Sequence, residues 1–372
     1  MQKNLATIAE LESFTLDFNP SAIFLFMSPS FKNKKSFIEI LNEKFPNAIK
    51  FGCSTSGEIL GNHVFDGTVS LTAVHFEKTS LNIAEIHLND FNQDSYQVGH
   101  ELYKRLEAEN LRHIMVLSDG LHVNGAELVK GLQENSPETV TITGGLAGDA
   151  ADFKETFLIC SKYIKSKRVI GLGFYGDDLK IGFGSKGGWD SFGLERLVTR
   201  SKNNILYELD GEPALELYKS FLGDKAKDLP GSGLLFPLSM RGDDNKTPVV
   251  RTILGIDEKE QSLTFAGDIN QGSYVRLMKA NVDRLIDGAE KSAEVTKNSI
   301  DEDCQLAFLI SCVGRRLVLK QMAEDEIEAV NNVLGEQVYT TGFYSYGEIA
   351  PFKKSTPCAL HNQTMTITTF SE

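Results

Sequence analysis

The chain has 372 residues, 41% of them hydrophobic and 24% charged, with a formal net charge of −13 at pH 7. Its length suits roughly two domains of ordinary size, and its composition is that of a globular chain able to bury a large core. The acidic balance offers nothing to a polyanion, which excludes nucleic acid as an expected partner, and no apolar run reaches the roughly twenty residues that membrane insertion needs.

The N-terminal residues Met1–Phe14 lack the apolar centre and cleavage site of a signal peptide. Five cysteines (Cys53, Cys160, Cys304, Cys312, Cys358) are dispersed with no CxxC pair. That pattern reads as reduced thiols in a cytoplasm rather than a disulfide framework or a structural zinc site.

One pattern recurs three times along the chain: an apolar strand, a loop, an amphipathic helix, a second strand, then a glycine-rich break. The first copy runs from Ala22–Met27 through a helix at Lys35–Lys44 to Ala48–Cys53, breaking at Ser54–Ile59. The second runs from His113–Leu117 through Asn124–Glu134 to Thr139–Thr143, breaking at Gly144–Asp149. The third runs from Gln305–Ser311 through Cys312–Arg316 and a helix near Glu324–Leu334 to Gln337–Thr341, breaking at Gly342–Ile349. Nearly all-apolar strands flanking helices with apolar residues at helical spacing predict βαβ units with parallel strands. Further strand sequence follows each break, so the expected architecture is α/β, with mixed β-sheets, repeated βαβ units and two fused lobes.

The boundary between halves is expected at Gly187–Asp190, dividing the chain into 1–188 and 189–372. Upstream, seven glycines between Gly171 and Gly188 read as hairpins and tight turns. Downstream, Leu197–Arg200 and Ile205–Leu209 read as short strands, and Pro213 opens a helix to Leu222. Leu229–Asn245 reads as a long loop, followed by strands at Val249–Asp257, Ser262–Phe265 and Val275–Met278 and a helix at Asn281–Val295. The C-terminal stretch places aromatics, Glu348 and His361 within about twenty residues around a glycine-broken strand, the composition of a pocket wall.

Six short motifs in order carry a family resemblance: FGCSTSGEI at Phe51–Ile59, GGLAGD at Gly144–Asp149, DGEPALELY at Asp210–Tyr218, ISCVGRR at Ile310–Arg316, FYSYGEIAP at Phe343–Pro351 and LHNQT at Leu360–Thr364. The chain resembles FIST-domain proteins, a bacterial sensory family with a FIST N-terminal and a FIST C-terminal region. The resemblance implies a ligand-sensing module for small molecules such as amino acids. It also implies a possible kinship with the nitric-oxide-sensing NosP type, which carries haem b and regulates a histidine kinase or a cyclic-di-GMP enzyme (diguanylate cyclase or phosphodiesterase).

On that reading His361 is the expected axial ligand of the iron, with Tyr344 and Tyr346 flanking the ring. Arg315, and secondarily Arg251, are candidates to hold a propionate or an amino-acid carboxylate; Glu348 could take an ammonium group, and Cys312 is a candidate thiolate. Two other histidines stand in competing positions: His63, in a turn, and His122, in a loop after a strand's carboxyl end, where open α/β sheets bind ligands. No HExxH, GxSxG or DxDxDG grouping occurs, so no enzyme activity is expected. Three functions remain: a haem sensor of nitric oxide, a sensor of a small carboxylate, and an adaptor without ligand.

Overall fold

The structure, a computed structural model, describes residues 1–161, 163–242, 248–300, 304–352 and 356–372. Three of its four sheets follow one plan. Each is centred on a parallel pair: Ala22–Met27 with Ile49–Ser54, Leu111–Ser118 with Thr141–Leu146, and Leu306–Cys312 with Tyr339–Ser345. Helices Lys34–Lys44, Gly125–Gln133 and Ala323–Leu334 make the crossovers and bury one apolar stripe each, such as Ile327, Val330 and Leu334. An antiparallel strand then flanks each first strand: Val69–Val74, Arg168–Tyr175 and Met365–Ser371. The sheets are therefore mixed, and the α/β character with repeated βαβ units is observed.

The glycine breaks have a purpose that their composition hides. After each parallel pair the chain leaves its own sheet and completes another. The hairpin Glu58–Leu60/His63–Phe65 pairs with Tyr339–Ser345 of the third copy, and Leu158–Cys160/Tyr163–Lys165 pairs with Ile49–Ser54 of the first. Gly347–Pro351/Cys358–His361 pairs with Thr141–Leu146 of the second. In this cyclic exchange an isoleucine (Ile59, Ile159, Ile349) lies opposite a glycine (Gly342, Gly52, Gly144) every time. A Cβ at any of those glycines would drive into the carbonyl oxygen of Leu309, Leu25 or Val116 on the neighbouring strand. The three copies meet in one core rich in phenylalanine, where Phe24 lies 4.6 Å from Phe308 and Phe174 stacks on Phe370 at 4.9 Å. Such rings bring large apolar area and an extra edge or stacking term.

The fourth sheet is built from residues 190–279, between the strand Lys180–Lys186 and the helix Val282–Lys297 that packs on the third sheet. Its strand order runs from Val249–Arg251 at one end to Ile253–Asp257 at the other. Only Thr252 separates those two segments in the chain, so the sheet curls back on itself into a barrel around Leu206, Leu263, Phe265 and Val275. The chain thus has two domains, a three-copy body and this barrel.

Several expected elements differ. Arg168–Tyr175 and Lys180–Lys186 lie in different sheets, so the glycine-rich run between them is a crossing and not a hairpin. The strand expected at Leu197–Arg200 is part of one long strand, Asp190–Lys202, which carries bulges. The expected loop Leu229–Asn245 contains the strand Leu238–Arg241, and its residues 243–245 lie outside the described residues.

Candidate functional site

A cavity of about 400 Å³ opens between body and barrel. The loop Gly120–Asn124 forms its floor, at the carboxyl end of Leu111–Ser118 and ahead of the helix Gly125–Gln133. Leu146, Phe153 and Tyr346 add body walls; Asn204, Leu254 and Phe265 come from the barrel. Tyr346 and Phe153 stack with centroids 4.6 Å apart and planes at 14°. Gly120 makes room for that stack, because a Cβ there would press on the Tyr346 ring and on Ala147.

Two carboxylates shape this site. Asp119 is fully buried, and its Oδ1 accepts the backbone N–H groups of Leu121 (2.9 Å) and His122 (3.0 Å), while Oδ2 accepts that of Lys167 at 2.7 Å. Oδ1 also lies 3.0 Å from Nδ1 of His122. A carboxylate in such a nest only accepts, so Nδ1 carries the proton. Nε2 is then the ring nitrogen left for a guest, and His122 lines the cavity. Asp149 accepts the N–H groups of Phe153, Lys154 and Glu155 and the hydroxyl of Tyr346, fixing both stacked rings. Asn124 caps its helix through the N–H groups of Ala126 and Glu127 and donates to Asp268 of the barrel at 3.0 Å, tying floor to lid.

Of the residues expected to bind ligand, Tyr346 lines this cleft. The others are brought into structural roles. Arg315 is not in a loop: a helix, Val313–Leu319, begins directly after Cys312. Its guanidinium is wholly buried, pairs with Glu326 at 2.7 Å, and donates to the carbonyls of Gly187 and Leu285. Tyr344 donates to the same Glu326 at 2.7 Å, and burial beside that carboxylate holds its phenol well above the usual range. Arg251 is buried in the barrel and donates to the carbonyls of Asp268, Val250 and Leu360; burial lowers it to about 10. Cys312 is packed at 3% exposure, its thiol pushed up by burial.

Glu348 accepts from Ser345 (2.7 Å) and from the N–H and hydroxyl of Thr364 (3.1 and 3.0 Å); burial raises it to about 8. Glu58, its counterpart in the first copy, accepts from Thr55 and Thr68 and rises to about 7, again through burial. The LHNQT motif is the ledge on which the barrel rests: Gln363 donates to Leu234 O at 3.0 Å and Thr252 Oγ1 at 3.1 Å.

His361 does not suit an iron in this arrangement. The ring is 2% exposed, its Nε2 donates to Ala350 O at 2.8 Å, and Phe352 covers it with centroids 4.1 Å apart. Burial depresses it to about 4, so it stays neutral but committed. His63 faces solvent and bonds Glu324 at 3.2 Å. The donor chemistry of His122 does fit a haem: an imidazole oriented by a buried carboxylate is the usual second-sphere arrangement of a metal-binding histidine, and planar aromatic walls stand beside it. No group of three or more His, Cys, Asp or Glu suited to a bare metal ion occurs among the described residues, and a porphyrin would bring its own four nitrogens.

An α/β body, a barrel seated on it and a hollow at their seam with one directed imidazole define a ligand-binding module. The chain belongs to the FIST family: the FIST N domain matches residues 21–212 and the FIST C domain residues 214–351. FIST domains are sensory, ligand-binding signalling domains rather than catalytic ones, and they signal to partners. Among curated proteins the chain is similar to the uncharacterized protein MJ1623 of Methanocaldococcus jannaschii, with 23% identity over 342 residues, covering 84% of this chain and 63% of that protein. The chain therefore spans less than two thirds of that relative's length. No helix among the described residues is long and apolar enough to cross a membrane.

Proposed function

We propose that this protein is a cytoplasmic sensor that takes a planar, largely apolar guest in the cleft between body and barrel, with His122 Nε2 as the directing ligand. Haem b is the guest of this class that the family resemblance implies, and nitric oxide is then the signal. The observation that supports this is the Asp119–His122 pair, 3.0 Å apart, at the floor of an aromatic cavity. Haem supplies an iron centre that binds diatomic gases. The chain's own residues would do the rest. Asp119 would fix the imidazole tautomer, Phe153 and Tyr346 would cover one side, and Leu121, Val123 and Leu254 would exclude water.

A small-carboxylate sensor is less well supported, since no lysine or arginine among the described residues lines the cleft to hold a carboxylate inside it, whereas the propionates of a haem would reach out to water. An adaptor without ligand leaves the hollow without a use. Because the guest would touch both domains, it would bias their orientation by its difference in affinity for the two arrangements. A histidine kinase or a diguanylate cyclase or phosphodiesterase would read that orientation.

The test is the absorption spectrum after reconstitution with haemin. A Soret band is expected in the wild type and in His361→Ala, and not in His122→Ala. Loss in His361→Ala alone would return the iron to the C-terminal histidine. No band in any form would remove haem, and a thermal-shift screen of uncharged aromatic compounds against wild type and His122→Ala would then judge the cleft itself.

A further inference from the structure

The chain's single tryptophan, Trp189, stands where the backbone leaves the body for the barrel. It is 8% exposed, and its Nε1 is shut from solvent with no hydrogen-bond partner. An unpaired buried donor is costly and calls for an explanation. The indole lines a notch of about 450 Å³ together with Lys186, Arg284, Asp287 and Lys291. The Cδ1 edge, adjacent to Nε1, faces Gly187, another wall of the notch, at 3.8 Å from where a Cβ of that glycine would lie.

The charge here runs against that of the molecule. Arg284 pairs with Asp190, whereas neither Lys186 nor Lys291 makes an ion pair among the described residues. Three cations thus face two carboxylates, Asp190 and Asp287, in a chain whose net charge is −13. The notch also spans both connections to the barrel, the outgoing Gly187–Trp189 and the returning start of Val282–Lys297. Gly288 has no side chain to hold the helix away from the Gly187 carbonyl, so the two connections touch.

We propose that this notch is a second ligand site, for a compact oxyanion of the phosphate type, either free phosphate or the phosphoryl end of a small metabolite. Lys186, Lys291 and the free edge of Arg284 neutralise it. The unpaired Trp189 Nε1 is the neutral donor left for one oxygen. Asp287 accepts a hydrogen bond from the P–OH of a monoprotonated phosphate, a donor that sulfate lacks. Occupancy stiffens the joint on which the barrel moves.

Because Trp189 is the only tryptophan, its fluorescence reports this notch without labelling. Inorganic phosphate and glycerol 3-phosphate are titrated into the full chain at constant ionic strength, with sulfate and chloride as controls. A saturable change is expected with at least one phosphate form, and which of the two binds tighter separates the sources. In Lys186→Met/Lys291→Met the half-saturating concentration should rise about tenfold or more, since two charge-assisted contacts are lost. Both lysines sit on the surface of the notch, and an unchanged melting temperature checks that the variant is folded. A change that never saturates, that chloride reproduces, or that survives the double substitution overturns the site. A sulfate response equal to that of phosphate overturns the assignment to phosphate.

Discussion

Glu348→Gln should remove a large part of the stability this protein loses as pH rises from 4.5 to about 8. Glu348 is buried without a cation in hydrogen-bond contact, and burial raises its carboxyl from 4.5 to about 8. The unfolded chain ionises near the ordinary value, while the folded chain keeps the proton. A folded pKa above the unfolded one gives stability that is complete below pH 4.5 and lost as pH rises to about 8. At about 1.4 kcal/mol per pH unit, the loss by pH 7 is on the order of 3 kcal/mol. Glutamine stays neutral, keeps a carbonyl oxygen for the Thr364 N–H and hydroxyl, and offers an N–H to Ser345. The variant should match the wild type near pH 5 and melt roughly 3–6 °C higher at pH 8.5. Calorimetric melts from pH 5 to pH 9 measure this, and the difference between the two curves isolates Glu348 from every other group. Parallel curves, with the variant offset by a constant amount, would refute the claim that the buried carboxyl is protonated in the fold.

Three further outcomes are expected. Arg315→Ala should cost about 3–5 kcal/mol, because Glu326 is left charged and buried; a lowered melting temperature with the cleft's ligand affinity unchanged would separate this fastening role from ligand binding. Asp119→Asn should weaken ligation by His122 about 10–100-fold, the usual price of losing a second-sphere partner, read as haemin affinity by titration. On the acid side, burial lowers His113 to about 3 and His361 to about 4. Folded values below the ordinary 6.5 mean stability that is full above pH 6.5 and lost as pH falls towards the folded pKa. His113→Phe should therefore flatten the acid limb of a melting-temperature profile below pH 6, even if its absolute stability drops through the unpaired Thr141 and Thr143 hydroxyls.

The three βαβ units could be read from the chain because both of their signals are local: continuous apolar strands, and helices with one buried stripe. The exchange of hairpins between units could not. A run such as Gly342–Ile349, with glycines at 342 and 347, is equally a bulge, a turn or a crossing, and only the position of a distant partner strand decides. Arg315 reads as a loop residue because the helix Val313–Leu319 begins after Cys312 with no side-chain cap, so the usual N-terminal signature is missing. Apart from the long, bulged Asp190–Lys202 the barrel's strands are short, and a closed order shows only once Val249–Arg251 and Ile253–Asp257 are seen at opposite edges. For the histidines, composition cannot say which ring keeps a nitrogen free. The available signal was Asp119, three residues before His122 and directly after a buried strand.

The copies also show why their corresponding clefts differ in the guest they could take. Each copy brings the loop after its first strand against the segment that leads into a neighbouring hairpin. In the third copy Arg316 fills that place: it donates to Ser56 O, pairs with Asp66 at 2.6 Å, and occupies the space that a Cβ at Gly57 would need. In the first copy Lys34 lies over the Phe157 ring, 5.6 Å from its centroid, and the cavity of about 390 Å³ beside it is lined by charge, with Glu155, Lys165 and Arg168. In the second copy Gly120 brings no side chain, Tyr346 is held back against Phe153, and the volume stays open. The barrel emerges from the third copy yet sets Phe265 and Asn204 over the hollow in the second. A guest there would touch the second copy, the segment leading into the hairpin lent by the third, and the barrel together, so filling the hollow would alter the fit of body to barrel directly. The fasteners of that fit, Arg315 at Gly187 and Gln363 at Thr252, lie on the same barrel's connections. The motifs that mark the family thus encode the joint and, through Leu146, Asp149 and Tyr346, one wall of the cleft, while Asp119, His122 and Phe153 lie outside them.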